Sequence, residues 1–288
     1  MRQKPSEAIS IFQGRWGKKL QKISEDMPIG VFDSGVGGLT VMREIMSQLP
    51  GENILYLGDT ARVPYGTRSP ETVIRYSVEN TQFFISKGIK LLVVACNTSS
   101  SVSLEVLRER FPIPVIGVVE PGARAAVSGT KLKRVAVIGT ETTINSRSYE
   151  RAIRAIDVSI SVSGIACPLF VPIIEEGWLE GEVVALTAEK YLSSIRNNGA
   201  DILVLGCTHY PMIKDVIAKV AGISLIDSAI ETAKEVKGVL AERNILRQGK
   251  EPGEREFFVT DAPEKFSRTG ERFLGQKILN ISKISLGV

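Results

Sequence analysis

The chain has 288 residues, enough for two domains with separate cores, and its 43% hydrophobic and 24% charged content is that of an ordinary globular protein. Its longest apolar runs, of five to seven residues, exclude a membrane-spanning helix, which needs ~20. Residues 1–26 carry a net charge of +3 out of a total of +4, so the remainder is nearly neutral and lacks the basic stripe typical of nucleic-acid-binding proteins.

The N-terminus has no apolar signal-peptide core, which predicts a protein that is not secreted. Cys96, Cys167 and Cys207 are widely spaced and odd in number, which favours free thiols in a reducing, cytoplasmic setting over a disulfide framework. A single histidine and the absence of a Cys-x-x-Cys pair leave few ligands for zinc, so no metal site is predicted.

The predicted elements begin with an appended N-terminal segment, because residues 1–26 have poor strand character and apolar residues spaced loosely like a helix face. From residue 29 onward, short apolar runs alternate with helix-length amphipathic stretches, and small polar residues follow the runs. This alternation predicts an α/β fold with mostly parallel sheets. The predicted strands are 29–32, 54–57, 91–95, 115–119, 135–138, 202–205 and 224–226, with a further apolar segment at 256–260.

An internal repeat underlies this pattern. Residues 29–34 parallel 135–140, residues 113–120 parallel 223–230, and the two cysteine-containing segments between them are 111 residues apart. The repeat predicts two pseudo-symmetric three-layer α/β domains with the active site in the cleft between them, and one large sheet with similar strand ends is the alternative. The predicted boundaries are 1–26 for an N-terminal extension, 27–119 plus 229–288 for the first domain, and 120–228 for the second.

Cys96 and Cys207 occupy matched positions, each directly after a fully apolar run and directly before small polar residues. Open α/β sheets bind ligands at the carboxyl ends of their strands, so both thiols are candidate reactive groups. The alternative for each is packing as a small hydrophobic residue, and Cys167, which lacks such a turn, is assigned to the core. Two equivalent thiols across a cleft suit inversion of a stereocentre, in which one group removes a proton and the other returns one.

Polar residues near these runs are further candidates. Asp33 and Ser34 precede a glycine-rich loop whose backbone amides suit a carboxylate better than a phosphate, because the G-x-G-x-x-G pattern is missing. A helix-capping role is the alternative for Asp33, and an ordinary turn is the alternative for Tyr65 and Gly66. His209, two residues after Cys207, is a candidate for a catalytic or orienting role.

Glu175 and Glu176 are candidate partners for the histidine, because a nearby carboxylate fixes the tautomer and charge of an imidazole. Solvent exposure is the alternative for either glutamate.

Taken together, these segments resemble glutamate racemase, the cofactor-independent enzyme of bacterial cell-wall synthesis, from about residue 28 to the mid-230s. The cysteine motifs alone would fit the wider aspartate/glutamate racemase superfamily, whereas the complete ordered set is specific. The motifs that carry the resemblance are GVFDSGVGGLTV (30–41), GD (58–59), PYG (64–66), ACNT (95–98), GVVEPG (117–122), GCTHYP (206–211) and IDS (226–228).

The resemblance implies a role for each candidate residue. Cys96 would take the α-proton of D-glutamate and Cys207 that of L-glutamate. Asp33 and His209 would assist them respectively, with Glu175 as the partner of the histidine. The substrate-binding residues that it implies are Asp33, Ser34, Tyr65, Gly66, Asn97, Thr98, Thr208 and His209.

The resemblance also implies catalysis without a cofactor such as pyridoxal phosphate, a homodimer, and a supply of D-glutamate for peptidoglycan synthesis and cell shape. Some family members with N-terminal extensions are activated by a UDP-linked muramoyl-alanine, so residues 1–26 are a candidate region for such an activator. The alternatives are a racemase for aspartate or another acidic amino acid, a binding protein with the same cleft, and a secondary gyrase-inhibiting role.

Overall fold

The computed structural model describes residues 23–249 and 251–287, and within them it contains ten strands and eleven α-helices. The strands are β1 (Ile29–Asp33), β2 (Ile54–Gly58), β3 (Leu91–Val94), β4 (Val115–Gly117), β5 (Arg134–Gly139), β6 (Ser161–Ala166), β7 (Ile202–Gly206), β8 (Ser224–Asp227), β9 (Arg255–Val259) and β10 (Ile281–Lys283).

The helices alternate with these strands, and a short 3₁₀ helix, Tyr210–Ile213, precedes α9. They are α1 (Leu39–Gln48), α2 (Pro70–Lys87), α3 (Asn97–Arg110), α4 (Val119–Gly129), α5 (Glu141–Asn145), α6 (Ser148–Ile156), α7 (Phe170–Glu175), α8 (Glu182–Asn198), α9 (Lys214–Ala221), α10 (Ser228–Glu242) and α11 (Pro263–Leu274).

Two parallel sheets organise these elements. The first has the strand order β10-β9-β2-β1-β3-β4 and the second has the order β6-β5-β7-β8. All eight pairs of neighbouring strands in the described part of the chain are parallel. The order β2-β1-β3-β4 in the first sheet corresponds to β6-β5-β7-β8 in the second, so each cysteine-preceding strand lies beside the first strand of its repeat. The predicted α/β fold with parallel sheets is confirmed.

The chain crosses between the two sheets twice. It leaves the first sheet after β4 through α4, and it returns after β8 through α10. Strand β9 then pairs with β2 at the side of the first sheet. The predicted domain boundaries, after residues 119 and 228, fall within the first residues of these two crossing helices, and they remain a prediction.

The core joins the two halves. A single cluster of buried apolar side chains includes Val31 and Tyr56 from the first sheet together with Ile138 and Leu203 from the second. Parallel strands covered by helices on both faces bury nearly every side chain, which explains why the strands appear in the sequence as continuous apolar runs. This packing holds the carboxyl ends of β1, β3, β5 and β7 in fixed positions.

The predicted strands differ from the observed ones chiefly in two respects. The predicted strand 115–119 is wrong at its end, because β4 stops at Gly117 and α4 begins at Val119. At Gly117 the chain approaches α3 so closely that a Cβ atom there would lie 2.2 Å from the Ser100 hydroxyl oxygen. The sequence did not predict strands β6 and β10. Both are partly exposed edge strands with mixed sequences, SVSGIA and ISK, so neither forms a continuous apolar run. Residues 1–22 of the predicted N-terminal extension lie outside the described residues.

Candidate active site

The two predicted thiols stand at equivalent strand ends. Cys96 follows β3 after one residue and precedes the first turn of α3, and Cys207 directly follows β7. Their exposed fractions are 5% and 6%. The turns that carry them lie close together, because the Tyr149 side chain bonds to Asn97 in the first and packs on Gly206 in the second. The fold therefore brings together the two cysteines that the sequence places 111 residues apart.

Cys96 is surrounded by polar groups of the first half. Its thiol donates to the Ser34 hydroxyl at 3.9 Å. Burial, and after it the negative charge of Asp33, raise its pKa to about 12, while the backbone and hydroxyl of Ser99 act in the opposite direction. Cys96 is therefore a neutral thiol at neutral pH, and a positively charged ligand group beside it would favour the thiolate.

Cys207 belongs to a chain of three titratable side chains. Its sulfur lies 3.9 Å from His209 Nδ1, and His209 Nε2 lies 3.1 Å from Glu175 Oε1 at the end of α7. Burial alone would lower the pKa of His209, but its bonds to Cys207 and Glu175 outweigh burial and raise that pKa to about 10. The bond from His209 in turn lowers the pKa of Glu175. At neutral pH the pair is therefore an imidazolium and a carboxylate. The Phe273 ring packs edge-on against the His209 ring, with the two ring centroids 5.3 Å apart.

The glycine-rich loop after β1 carries contacts between the halves. A Cβ atom on Gly37 would lie 2.3 Å from the Thr208 hydroxyl oxygen and 2.5 Å from His209 Nδ1, so the backbone approaches this turn more closely than any other residue would permit. The Thr40 hydroxyl donates to the backbone carbonyl of Thr208 at 2.9 Å. The loop thus packs against the turn that follows Cys207, and Gly37 allows the two backbones to approach closely.

Three buried polar atoms near Cys96, Asp33 Oδ2, Asn97 Nδ2 and Ser99 Oγ, have no hydrogen-bond partner within the described residues. One carboxylate oxygen of Asp33 accepts from the Gly38 amide at 2.8 Å, but Oδ2 is unpaired. Burial raises the pKa of Asp33, partly offset by the positive charge of His209. The second unpaired atom is the amide nitrogen Nδ2 of Asn97. Buried polar atoms in native proteins normally have partners, so this acceptor and this donor are candidates for contact with a bound polar ligand or water.

Thr98 and Gly66, two predicted binding residues of the first half, contact Thr140 of the second half. Thr140 is not among the residues predicted from the sequence. Thr98 and Thr140 share a hydrogen bond between their hydroxyl oxygens at 3.0 Å. Gly66 lies against the same threonine, because a Cβ atom on it would be 2.8 Å from Thr140 Cβ. Thr140 follows β5 as Ser34 follows β1, so the internal repeat held the signal that would have identified it.

Tyr65 forms part of the wall near Cys96. The two residues belong to one small apolar cluster, and Tyr65 is 1% exposed. Its hydroxyl donates to the Asp59 carboxylate and accepts from the Asn80 amide. Because the hydroxyl is occupied by these partners, the side chain supplies apolar surface and fixes the loop that carries Gly66.

The remaining candidates lie elsewhere. Cys167 is completely buried, its thiol donates to the Ile165 carbonyl at 3.7 Å, and burial raises its pKa to about 12. Glu176 is exposed. Among residues 23–249 and 251–287, no group of three His, Cys, Asp or Glu side chains could hold a metal ion. The same residues contain no helix with the length and apolar character needed to cross a membrane.

Comparison with known proteins identifies the relatives of this chain. The sequence model of the Asp/Glu/Hydantoin racemase family matches residues 29–236. The chain is 54% identical over 260 residues to the glutamate racemase of Geobacter metallireducens, a match that covers 90% of this chain and 96% of that relative.

Solved structures agree with the sequence match. The glutamate racemase of Francisella tularensis, in complex with D-glutamate, superposes with a TM-score of 0.86 and 40% identity over 91% of this chain and 98% of its own. The Escherichia coli glutamate racemase, in complex with L-glutamate and the activator UDP-MurNAc-Ala, gives a TM-score of 0.74 and 27% identity over 91% of this chain and all of its own. The chain therefore belongs to the Asp/Glu/Hydantoin racemase family, among its glutamate racemases.

Proposed function

We propose that this protein interconverts L- and D-glutamate by moving the α-proton between two cysteine thiols, without a cofactor. The observation that carries the proposal is the pair of buried thiols at matched strand ends, each beside its own acid–base group. Racemisation needs a base on one face of the α-carbon and an acid on the other, and two halves related by a repeat supply both.

With L-glutamate, the Cys207 thiolate removes the α-proton and becomes a thiol, and the electron pair of the broken C–H bond remains on the substrate as a carbanion. The Cys96 thiol then donates its proton to the opposite face, which gives D-glutamate and leaves Cys96 as a thiolate. With D-glutamate the roles are exchanged. The imidazolium of His209 balances the negative charge that Cys207 carries before it reacts.

The substrate ammonium and carboxylates match the unpaired groups near Cys96. The buried Asp33 carboxylate suits a positive ammonium group, which would also lower the pKa of the neighbouring thiol from its value of about 12. The Asn97 amide and the hydroxyls of Thr98 and Thr208 suit carboxylates. Ser34, Tyr65, Gly66 and His209 complete the proposed binding set.

The direct test uses purified, reduced protein with L-glutamate in D2O and no added pyridoxal phosphate, with aspartate in a parallel sample. Loss of optical activity together with α-deuterium incorporation is expected for glutamate. Racemisation of aspartate but not of glutamate would support the same proton-transfer mechanism with aspartate as the substrate. Folded protein that exchanges neither amino acid would contradict the proposal and favour a binding protein that uses the same cleft.

The biological setting is part of the proposal. The E. coli relative is solved in complex with the activator UDP-MurNAc-Ala. We propose that the D-glutamate made by this reaction is supplied to peptidoglycan synthesis in the cytoplasm. The proposal includes a homodimer and an activator response that depends on residues 1–26. Deletion of residues 1–26 that left both basal activity and the response to UDP-MurNAc-Ala unchanged would exclude a role for that segment.

A further inference from the structure

Tyr149, the second residue of α6, touches both thiol-bearing turns. Its hydroxyl donates to Asn97 Oδ1 at 2.7 Å, and Asn97 directly follows Cys96. Its ring packs on Gly206, which directly precedes Cys207, because a Cβ atom there would lie 3.2 Å from Tyr149 Cε2. One side chain from the second half therefore bridges the two turns.

The ring is held tightly on its other edge as well. A Cβ atom on Gly122, in the crossing helix α4, would lie 3.3 Å from Tyr149 Cε1. The tyrosine is 3% exposed. Because Gly206 and Gly122 have no side chains, the backbone packs closely against both edges of the ring. The ring therefore has little freedom to move, and the fold fixes the position of its hydroxyl oxygen.

The hydroxyl fixes the orientation of the Asn97 amide. Because Asn97 Oδ1 accepts from Tyr149, the amide group presents its nitrogen as the free end, with two N–H donors. That nitrogen is buried and has no partner among the described residues. Without the tyrosine hydroxyl, the two ends of the amide would be nearly equivalent in shape, and either could face a ligand.

We propose that Tyr149 is a positioning residue for racemisation, which orients the Asn97 amide so that Nδ2 donates to a carboxylate of the substrate. This inference rests on the proposed function, and it adds a residue outside the sequence motifs. Because Tyr149 acts through Asn97, its hydroxyl contributes to substrate affinity and leaves the proton transfer itself to the thiols.

A neighbouring contact makes the hydroxyl experimentally separable from the packing of α6. The Ser148 hydroxyl donates to the Ser101 hydroxyl at 2.8 Å and ties the start of α6 to α3. In Tyr149→Phe this tie and the ring contacts remain, and the variant removes only the hydroxyl, with its bond to Asn97 and its contact with the Ser228 side chain. Tyr191→Phe is a matched control, since its hydroxyl accepts from the Leu169 amide away from both thiols.

The experiment compares wild type, Tyr149→Phe, Tyr191→Phe, Asn97→Ala and the Tyr149→Phe/Asn97→Ala double variant in glutamate racemisation, with thermal unfolding as a check of folding. In Tyr149→Phe the KM is expected to rise at least about twofold, because the freed amide would present Nδ2 to the ligand only about half of the time, and kcat should stay close to that of wild type. Tyr191→Phe should keep both parameters. The double variant should match Asn97→Ala, because the tyrosine acts only through the amide.

A wild-type KM in folded Tyr149→Phe, or a double variant whose KM is the product of the two single effects, would overturn the inference while the racemase activity stands. Wild-type protein that leaves glutamate unchanged would overturn the proposed function together with it. If Tyr149→Phe does not fold, Asn97→Asp decides: it retains an acceptor for the tyrosine and places a carboxylate oxygen where Nδ2 was. Its KM should then exceed that of Asn97→Ala, and an equal or lower value would contradict the proposed orientation.

Discussion

Replacement of Glu175 by glutamine tests the electrostatic arrangement beside Cys207. The carboxylate lies 3.1 Å from His209 Nε2 and is one of the two partners that raise the pKa of His209 to about 10 from an ordinary value of 6.5. An opposite charge at this distance typically moves a pKa by about 1 to 3 pH units, or ~1.4–4 kcal/mol. Glu175→Gln should therefore lower the pKa of His209 by that amount.

The sign of the kinetic effect follows directly. His209 is an imidazolium below its pKa, so a lower pKa removes the positive charge at a lower pH. The alkaline limit of kcat/KM should move to lower pH in Glu175→Gln, in both reaction directions, if the imidazolium is the active form.

The assay is unusually direct, because the chain contains a single histidine. In tag-free protein, an NMR titration of the imidazole nitrogens reports His209 alone. Glu176→Gln is the matched control, since it removes the same charge from the exposed neighbouring position. A His209 that titrates near 6.5 in the wild type, or an equal shift of its pKa in both glutamine variants, would contradict a role for Glu175 in setting that pKa.

Other predictions concern the thiols and a buried ion pair. Cys96→Ser and Cys207→Ser should each lose at least about 100-fold in racemisation while calorimetry still detects glutamate binding; full activity in either would contradict the two-thiol scheme. Lys90 is completely buried and lies 2.6 Å from Glu52. Lys90→Met should reduce the free energy of unfolding in urea by about 3–5 kcal/mol, because it leaves the buried Glu52 carboxylate without its cation, although Oε1 still accepts from the Arg247 amide. A Lys90→Met/Glu52→Leu variant should recover much of that loss, and no recovery would show that the charge is not its cause.

Local sequence signals were sufficient for much of the site. Cys96 and Cys207 each follow an apolar run and precede a polar turn, and the structure places both at strand ends. Resemblance to the family paired His209 with Glu175, which the structure places in hydrogen-bond contact. The catalytic and binding roles of these residues remain predictions, because position alone does not demonstrate a role.

Contacts between distant segments could not be read from the chain in the same way. Tyr149 lies in a short amphipathic helix without a recognisable motif, and its bond to Asn97 joins residues 52 positions apart. Thr140 could have been predicted from the sequence, because the internal repeat aligns it with Ser34. Strand β6 was not predicted, because it lies at the edge of its sheet, where a strand is partly exposed and needs no continuous apolar run.

The isotope content of the first product shows whether two different thiols handle the α-proton. Wild-type protein is mixed with protiated L-glutamate in D2O, and D-glutamate is isolated within the first few per cent of turnover for mass spectrometry. Because Cys96 exchanges its thiol proton with solvent while Cys207 retains the substrate proton, the D-glutamate should carry deuterium at the α-carbon, with little in the remaining L-glutamate. Product that retains its original α-proton would show that a single base serves both faces, and would contradict the account.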